Sequence, residues 1–158
     1  MPRRARRTLE GRLFHVTLKG VAGQNIVLDD SDRLRFIWQL EEVTKRFGWR
    51  VVCWCLMDTH FHVVIEADQK QMSVAMHRLA CLYAMYFNKR HERRGHLFEN
   101  RFSSWIVWDD KHLEATIEYV LDNPVRAGLC RTSAEWPWSW PRRERREEPE
   151  SPERAEAA

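Results

Sequence analysis

The sequence predicts an α+β domain: an antiparallel sheet in the element order β-α-β-β-α-β, with a further helix near the C-terminal end. Three observations carry this prediction. An apolar run, Trp49 to Met57, and a second run, His60 to Glu66, flank the tight connection Asp58-Thr59 and read as a mid-chain hairpin. A segment of helical periodicity lies on each side of that hairpin. The 158 residues are 44% hydrophobic and 31% charged, which suits one globular domain with its own core and excludes a disordered chain.

The elements follow in order. Leu13-Phe14-His15-Val16-Thr17-Leu18 is β-branched and aromatic and reads as the first strand, ended by Gly20. Residues 21–30 form a loop, with Asp30 or Ser31 placed to cap the first helix. Leu34, Ile37, Trp38, Leu40 and Val43 recur at helical spacing until Gly48. After the hairpin, Met72, Met76, Leu79, Leu82, Tyr83, Tyr86 and Phe87 mark the apolar face of a second helix, over 71–90. Tyr83 and Tyr86 therefore read mainly as core. Residues 88–98 are polar and basic and read as a loop. Residues 102–108 give a fourth strand, and Asp109-Asp110 caps a third helix that Pro124 stops. A Trp-rich extended segment follows, including Trp136, Trp138 and Trp140.

This order is the split β-α-β unit of ferredoxin-like folds, in which the first and third strands are central. Helices cover one face of its sheet, and the other face is free for a partner or for catalysis. The expected organisation is a basic arm over 1–11, a folded domain over 12–140 and a disordered charged tail over 141–158.

Composition narrows the function classes. No stretch of about 18 uncharged apolar residues exists, which excludes a membrane-spanning helix. The basic N-terminal residues have no apolar segment behind them, so a cytoplasmic protein is expected. Cys53, Cys55, Cys81 and Cys130 form no Cys-x-x-Cys pair and read as reduced thiols rather than a zinc site. The formal charge is +3, and its distribution is uneven. Residues 1–12 hold five arginines against one glutamate; residues 86–101 hold five basic against two acidic residues, plus His91 and His96. Two basic patches on a near-neutral body suit a polyanionic partner, although arginine that merely solubilises a small domain reads the same way.

Two constellations bear chemistry. His60 and His62 are i and i+2 on a strand, so their imidazoles share one face, roughly 7 Å apart at the backbone. Such a pair can converge on a metal ion, although it also suits a solvated strand face. Phe61 points the other way, into the core. On the third helix Tyr119 and Asn123 are i and i+4, one turn apart on one face. They suit a phenol nucleophile and an amide-oxygen ligand, or simply a core-edge tyrosine and a helix-terminal asparagine. His15 on the first strand can face the same side as this site, with a structural role.

The segments CLMDTHFHVVIE, RRGHLFENRF and YVLDNPVRAGL, in that order, resemble the REP-associated tyrosine transposases, single-tyrosine HUH transposases of the IS200-like group. FHVTLKG and DDSDRLRFIWQL fit the same pattern, so the resemblance spans roughly residues 10–140. It implies an HUH-endonuclease-type fold, metal ligands at His60, His62 and Asn123, and a catalytic tyrosine at Tyr119. Asp58-Thr59 stands where the family often has Pro-Asn or a similar pair; an acidic residue there could touch the ion or its waters. The implied reaction is site-specific cleavage and rejoining of hairpin-bearing single-stranded DNA through a 5′-phosphotyrosine. The implied cofactor is Mg²⁺ or Mn²⁺. The implied substrate is a repeated palindrome beside the gene, and the protein is a monomer or a homodimer. Arg3, Arg4, Arg6, Arg7, Lys89, Arg90, Arg93, Arg94, His96 and Arg101 are the candidate DNA contacts, with Phe98 and Phe102 as candidate stacking rings. The competing expectation is a non-catalytic, domesticated nucleic-acid-binding module of the same shape.

Overall fold

The computed structural model describes residues 12–142. The strands are β1 (Arg12–Lys19), β2 (Arg50–Leu56), β3 (His60–Ala67), β4 (Ser103–Ile106) and β5 (Ser139–Trp140). The helices are α1 (Asp30–Phe47), α2 (Gln69–Arg90), α3 (Asp110–Leu121) and the single turn α4 (Asn123–Arg126). The basic arm, and all but the first two residues of the expected tail, lie outside the described residues.

The strands form one antiparallel sheet in the order β4-β1-β3-β2-β5, with β1 and β3 adjacent in its interior as expected. Strand alternation sorts side chains between two faces. Phe14, Val16 and Leu18 of β1, and Phe61, Val63 and Ile65 of β3, enter the main core beneath α1 and α2. There they meet Phe36, Leu40 and Val43 of α1 and Met72, Met76, Leu79, Tyr83 and Phe87 of α2. The Phe36 ring lies 4.7 Å from that of Phe61 and 4.9 Å from that of Tyr83. Tyr83 is fully buried, and its hydroxyl donates to the Ile26 carbonyl at 2.6 Å.

Several local expectations are corrected. Asp29, not Asp30 or Ser31, caps α1, accepting from the Asp32 amide. The inward stripe of α1 runs Asp32, Phe36, Gln39, Leu40 and Val43, whereas Leu34 and Trp38 are 60% and 50% exposed. Apolar spacing alone could not show that a buried aspartate extends the stripe. Its carboxylate meets Arg90 at 2.6 Å, His91 at 2.8 Å and the Leu28 amide at 2.9 Å. The fourth strand is shorter than 102–108 because the chain turns after Val107. The Val107 amide still donates to Leu13, but the Trp108 amide donates to Nδ1 of His112 on α3.

The second face of the sheet is only half free. α3 lies across its β2–β3 side, packing Val120 and Leu121 against Cys53, Cys55 and Val64. The Trp-rich segment adds β5, an edge strand beside β2; Leu56 donates to Trp138, and the Trp136 indole donates to Leu56. What remains open on this face is the part bearing His15, the paired histidines of β3 and β4.

Candidate functional site

The open half of the second face gathers the chemistry. Thr17, directly opposite His62 in the ladder, shares that face with His15 and Lys19. His60 and His62 project from β3 beside them, with ring centroids 4.9 Å apart. Phe61 between them is fully buried in the opposite core, so the strand cannot slip without exposing it.

The preceding turn is anchored from two directions. Carbonyls of Asp58 and Thr59 accept from the Ile26 and Gly20 amides. The Asp58 carboxylate pairs with Arg33 on α1 at 2.6 Å, so its recorded charge partner is a helix arginine rather than anything in the histidine cleft. Gly20 is required here, because a Cβ would lie 2.2 Å from the Gln24 carbonyl oxygen.

Nδ1 of each strand histidine is engaged by the protein. His60 Nδ1 meets the Thr59 hydroxyl at 2.9 Å, and His62 Nδ1 meets Nε2 of His15 at 2.9 Å. His15 also stacks on His62 at 5.2 Å and touches Trp105 at 5.4 Å. Burial disfavours the charged form of all three rings. It pulls His62 down to about 3, helped by His60 and His15, and His15 down to about 4, helped by His112. His60 is lowered by burial against the opposing hydrogen bond it donates to Asn123 Oδ1.

The second pair arrives from the helix break. Pro124 has no amide hydrogen, so α3 ends at Leu121 and a new single turn, α4, begins after Asp122. At that break the Asn123 amide nitrogen donates to the Tyr119 carbonyl at 3.2 Å, which turns its oxygen outward. That oxygen lies 3.2 Å from Nε2 of His60. The Tyr119 ring, 43% exposed, stands edge-on to His62 at 5.8 Å and to His15 at 5.9 Å. The Arg126 guanidinium lies 4.0 Å above the Tyr119 ring. A cleft of about 230 Å³ opens here, lined by Lys19, Gly20, Thr59, His60, His62, Glu99 and Tyr119.

The donor set fits a divalent ion. Ligand distances of about 2.0–2.2 Å place neighbouring donors roughly 3 Å apart, which matches the 3.2 Å between Nε2 of His60 and Oδ1 of Asn123. With Nδ1 taken by Thr59 and His15, Nε2 is the nitrogen each strand histidine would offer an ion, which would displace the hydrogen bond from Nε2 of His60 to Oδ1 of Asn123. All three donors are neutral, so an ion's charge would be left for an anionic substrate. No cluster of three or more His, Cys, Asp or Glu side chains suited to a metal occurs among the described residues, so the amide is the third donor on offer.

The chain matches the family model described as "Transposase IS200 like" over residues 15–123, more than half its length. It belongs to the IS200-like transposase family. A Haemophilus influenzae protein (strain ATCC 51907 / DSM 11121 / KW20 / Rd), provisionally named a REP-associated tyrosine transposase, is 23% identical over 111 residues. That match covers 63% of this chain and 62% of the relative. Among solved structures, a REP-associated tyrosine transposase bound to a REP hairpin has a TM-score of 0.63 at 15% identity, covering 82% of this chain and 76% of that one. A provisionally assigned Deinococcus radiodurans transposase has a TM-score of 0.51 at 15% identity, covering 72% and 90%. Both likenesses are of fold.

Within this IS200-like chain, His60, His62, Tyr119 and Asn123 come together inside a single copy. The candidate DNA contacts divide. Lys89, Arg94, His96 and Arg101 are exposed around the end of α2 and the segment after it. Arg90 instead ties α2 to α1 through Asp29 and Asp32, and Arg93 is held by Asn88 and Gln24 over the Phe87 ring. Arg3, Arg4, Arg6 and Arg7 lie outside the described residues. Phe98 is buried in the core, and both it and Phe102 line a cavity of about 970 Å³ with His96 and Arg101. Sequence reasoning undervalued His15 and missed Lys19, Glu99 and Arg126. The pattern His15-x-Thr17-x-Lys19 announced a shared face, but only the strand register shows which β3 residues it meets.

Proposed function

We propose that this protein is a metal-dependent tyrosine transposase, acting in the cytoplasm, that cuts and rejoins hairpin-bearing single-stranded DNA such as REP-like palindromes. The observation that carries the proposal is the Tyr119 ring standing against the His62 and His15 rings, while Asn123 faces His60 from the same helix break.

In this reading His60, His62 and Asn123 hold Mg²⁺ or Mn²⁺. When bound, the ion supplies a positive charge that offsets the charge developing on the attacked phosphate. Lys19 at the cleft edge and the exposed Lys89, Arg94 and Arg101 draw in the DNA backbone. Tyr119 Oη attacks phosphorus and its proton passes to solvent, which its exposure permits. The Oη–P bond forms and the P–O3′ bond breaks. The 3′ oxygen takes a proton from water, leaving a free 3′-hydroxyl and a 5′-phosphotyrosine. Arg126 places a fixed positive charge against the ring that becomes anionic. One phosphoester replaces another, so a second DNA hydroxyl can reverse the step and join new ends. That the four side chains meet within one copy supports cleavage by a monomer, with a homodimer as the alternative.

The test uses a hairpin oligonucleotide with single-stranded flanks, taken from palindromes beside the gene, incubated with Mn²⁺ or Mg²⁺. A protein–DNA adduct that survives denaturing electrophoresis is expected; chelation prevents it, and Tyr119→Phe abolishes it while still binding. Adduct formation by Tyr119→Phe removes this nucleophile, and a rate untouched by His60→Ala removes the metal role. Binding that ignores chelator, without cleavage under any metal, supports the non-catalytic module instead.

A further inference from the structure

A second concavity of about 520 Å³ adjoins the site, between β4 and the start of α3. Its size lies within the range of about 300–1,000 Å³ typical of small-ligand pockets. Trp105 and Trp108 line it, 53% and 76% exposed, although large apolar side chains are normally buried. His15 lines it as well, and the His15 ring that touches Trp105 is the one that meets His62 and Tyr119. This pocket and the histidine–tyrosine cleft are therefore joined through one side chain.

The polar groups are also oriented. His112 accepts the Trp108 amide at Nδ1, which makes Nε2 the donor nitrogen of its ring. Ser104 adds a hydroxyl, and among the described residues no acidic side chain lines the pocket. Flat indole faces with one imidazole donor and one hydroxyl suit a planar heterocycle bearing acceptor atoms. A single-stranded nucleic acid presents such rings beside its phosphates.

We propose that this crevice is a nucleobase subsite, receiving an unpaired base of the same DNA strand whose phosphodiester meets Tyr119. The proposal rests on the function argued above and adds to it a protein-borne grip on a base, with Trp105 and Trp108 as the stacking surfaces. Phosphate contacts position the strand; this pocket sets its register relative to the nucleophile.

The experiment uses the full chain carrying Tyr119→Phe. Its probes are labelled hairpins with eight-nucleotide single-stranded extensions of A, C or T, each extension position replaced in turn by an abasic site. Binding is expected to quench tryptophan fluorescence, and one abasic position is expected to weaken binding about tenfold or more. In Trp108→Ala and Trp105→Ala, affinity falls by a similar factor and that abasic position has no further effect. Trp108 is so exposed that its truncation spares the core, and a merely structural loss would not erase the positional dependence. A flat abasic scan, or a scan unchanged in both Trp variants, overturns the subsite. If the Tyr119-bearing protein still forms its DNA adduct, that failure leaves the proposed function standing. No binding and no adduct with any probe overturns both.

Discussion

His15→Phe separates the site's chemistry from its architecture. Phenylalanine keeps a flat ring between Trp105, at 5.4 Å, and His62, at 5.2 Å, but removes the nitrogen that meets His62 Nδ1 at 2.9 Å. Fold stability loses one partly buried hydrogen bond, about 0.5–1.5 kcal/mol, with the more apolar ring offsetting part of it. Ion binding at the proposed site is expected to lose more, because the contact that fixes the His62 ring through Nδ1 is gone. Loss of such an outer-shell contact typically costs 10–100-fold in metal affinity, or ~1.4–2.7 kcal/mol. The expected result is a small change in unfolding free energy alongside a tenfold or greater rise in the Mn²⁺ dissociation constant, measured by calorimetric titration and urea unfolding. Metal affinity within twofold of the parent refutes the reasoning. A stability loss above about 3 kcal/mol recasts His15 as a core residue.

Three further predictions probe the scaffold. Leu121→Ala removes a side chain that pins α3 to the sheet; it should destabilise the fold by about 2–5 kcal/mol in denaturant and reduce adduct yield, since Tyr119 rides on that helix. Burial pushes the Cys55 thiol up to about 12, so a thiol reagent at pH 8 should label exposed Cys81 first and reach Cys55 only on unfolding, as read by peptide mass. The Arg90 hydrogen bond pulls the Asp29 carboxyl down from 3.8 to about 2, so its contribution is complete above about pH 4 and lost as pH falls toward 2. Arg90→Gln should flatten the urea-unfolding stability profile over that interval; an unchanged profile contradicts the pairing.

The hairpin and its histidines were legible because strand alternation is local: Phe61 is buried and His60 and His62 face away whatever the rest does. Tyr119 and Asn123 were legible as neighbours for the same reason, one helical turn apart. Long-range placement was not legible. Nothing in the apolar pattern of residues 113–121 says on which sheet face α3 lies, and that choice brings Tyr119 to His62. Arg90 reads as a free basic residue until α1 supplies Asp29 and Asp32. Ser139–Trp140 looked merely extended because two paired residues leave no periodicity.

The central claim is tested most directly by locating the DNA on the protein. After reaction of the wild-type chain with a flank-derived hairpin and Mn²⁺, nuclease trimming and tryptic digestion, mass spectrometry should find the remaining nucleotide on Tyr119, in the peptide spanning 112–126. A nucleotide attached to Tyr83 or Tyr86, or to no tyrosine while the DNA is nevertheless cut, would contradict the account.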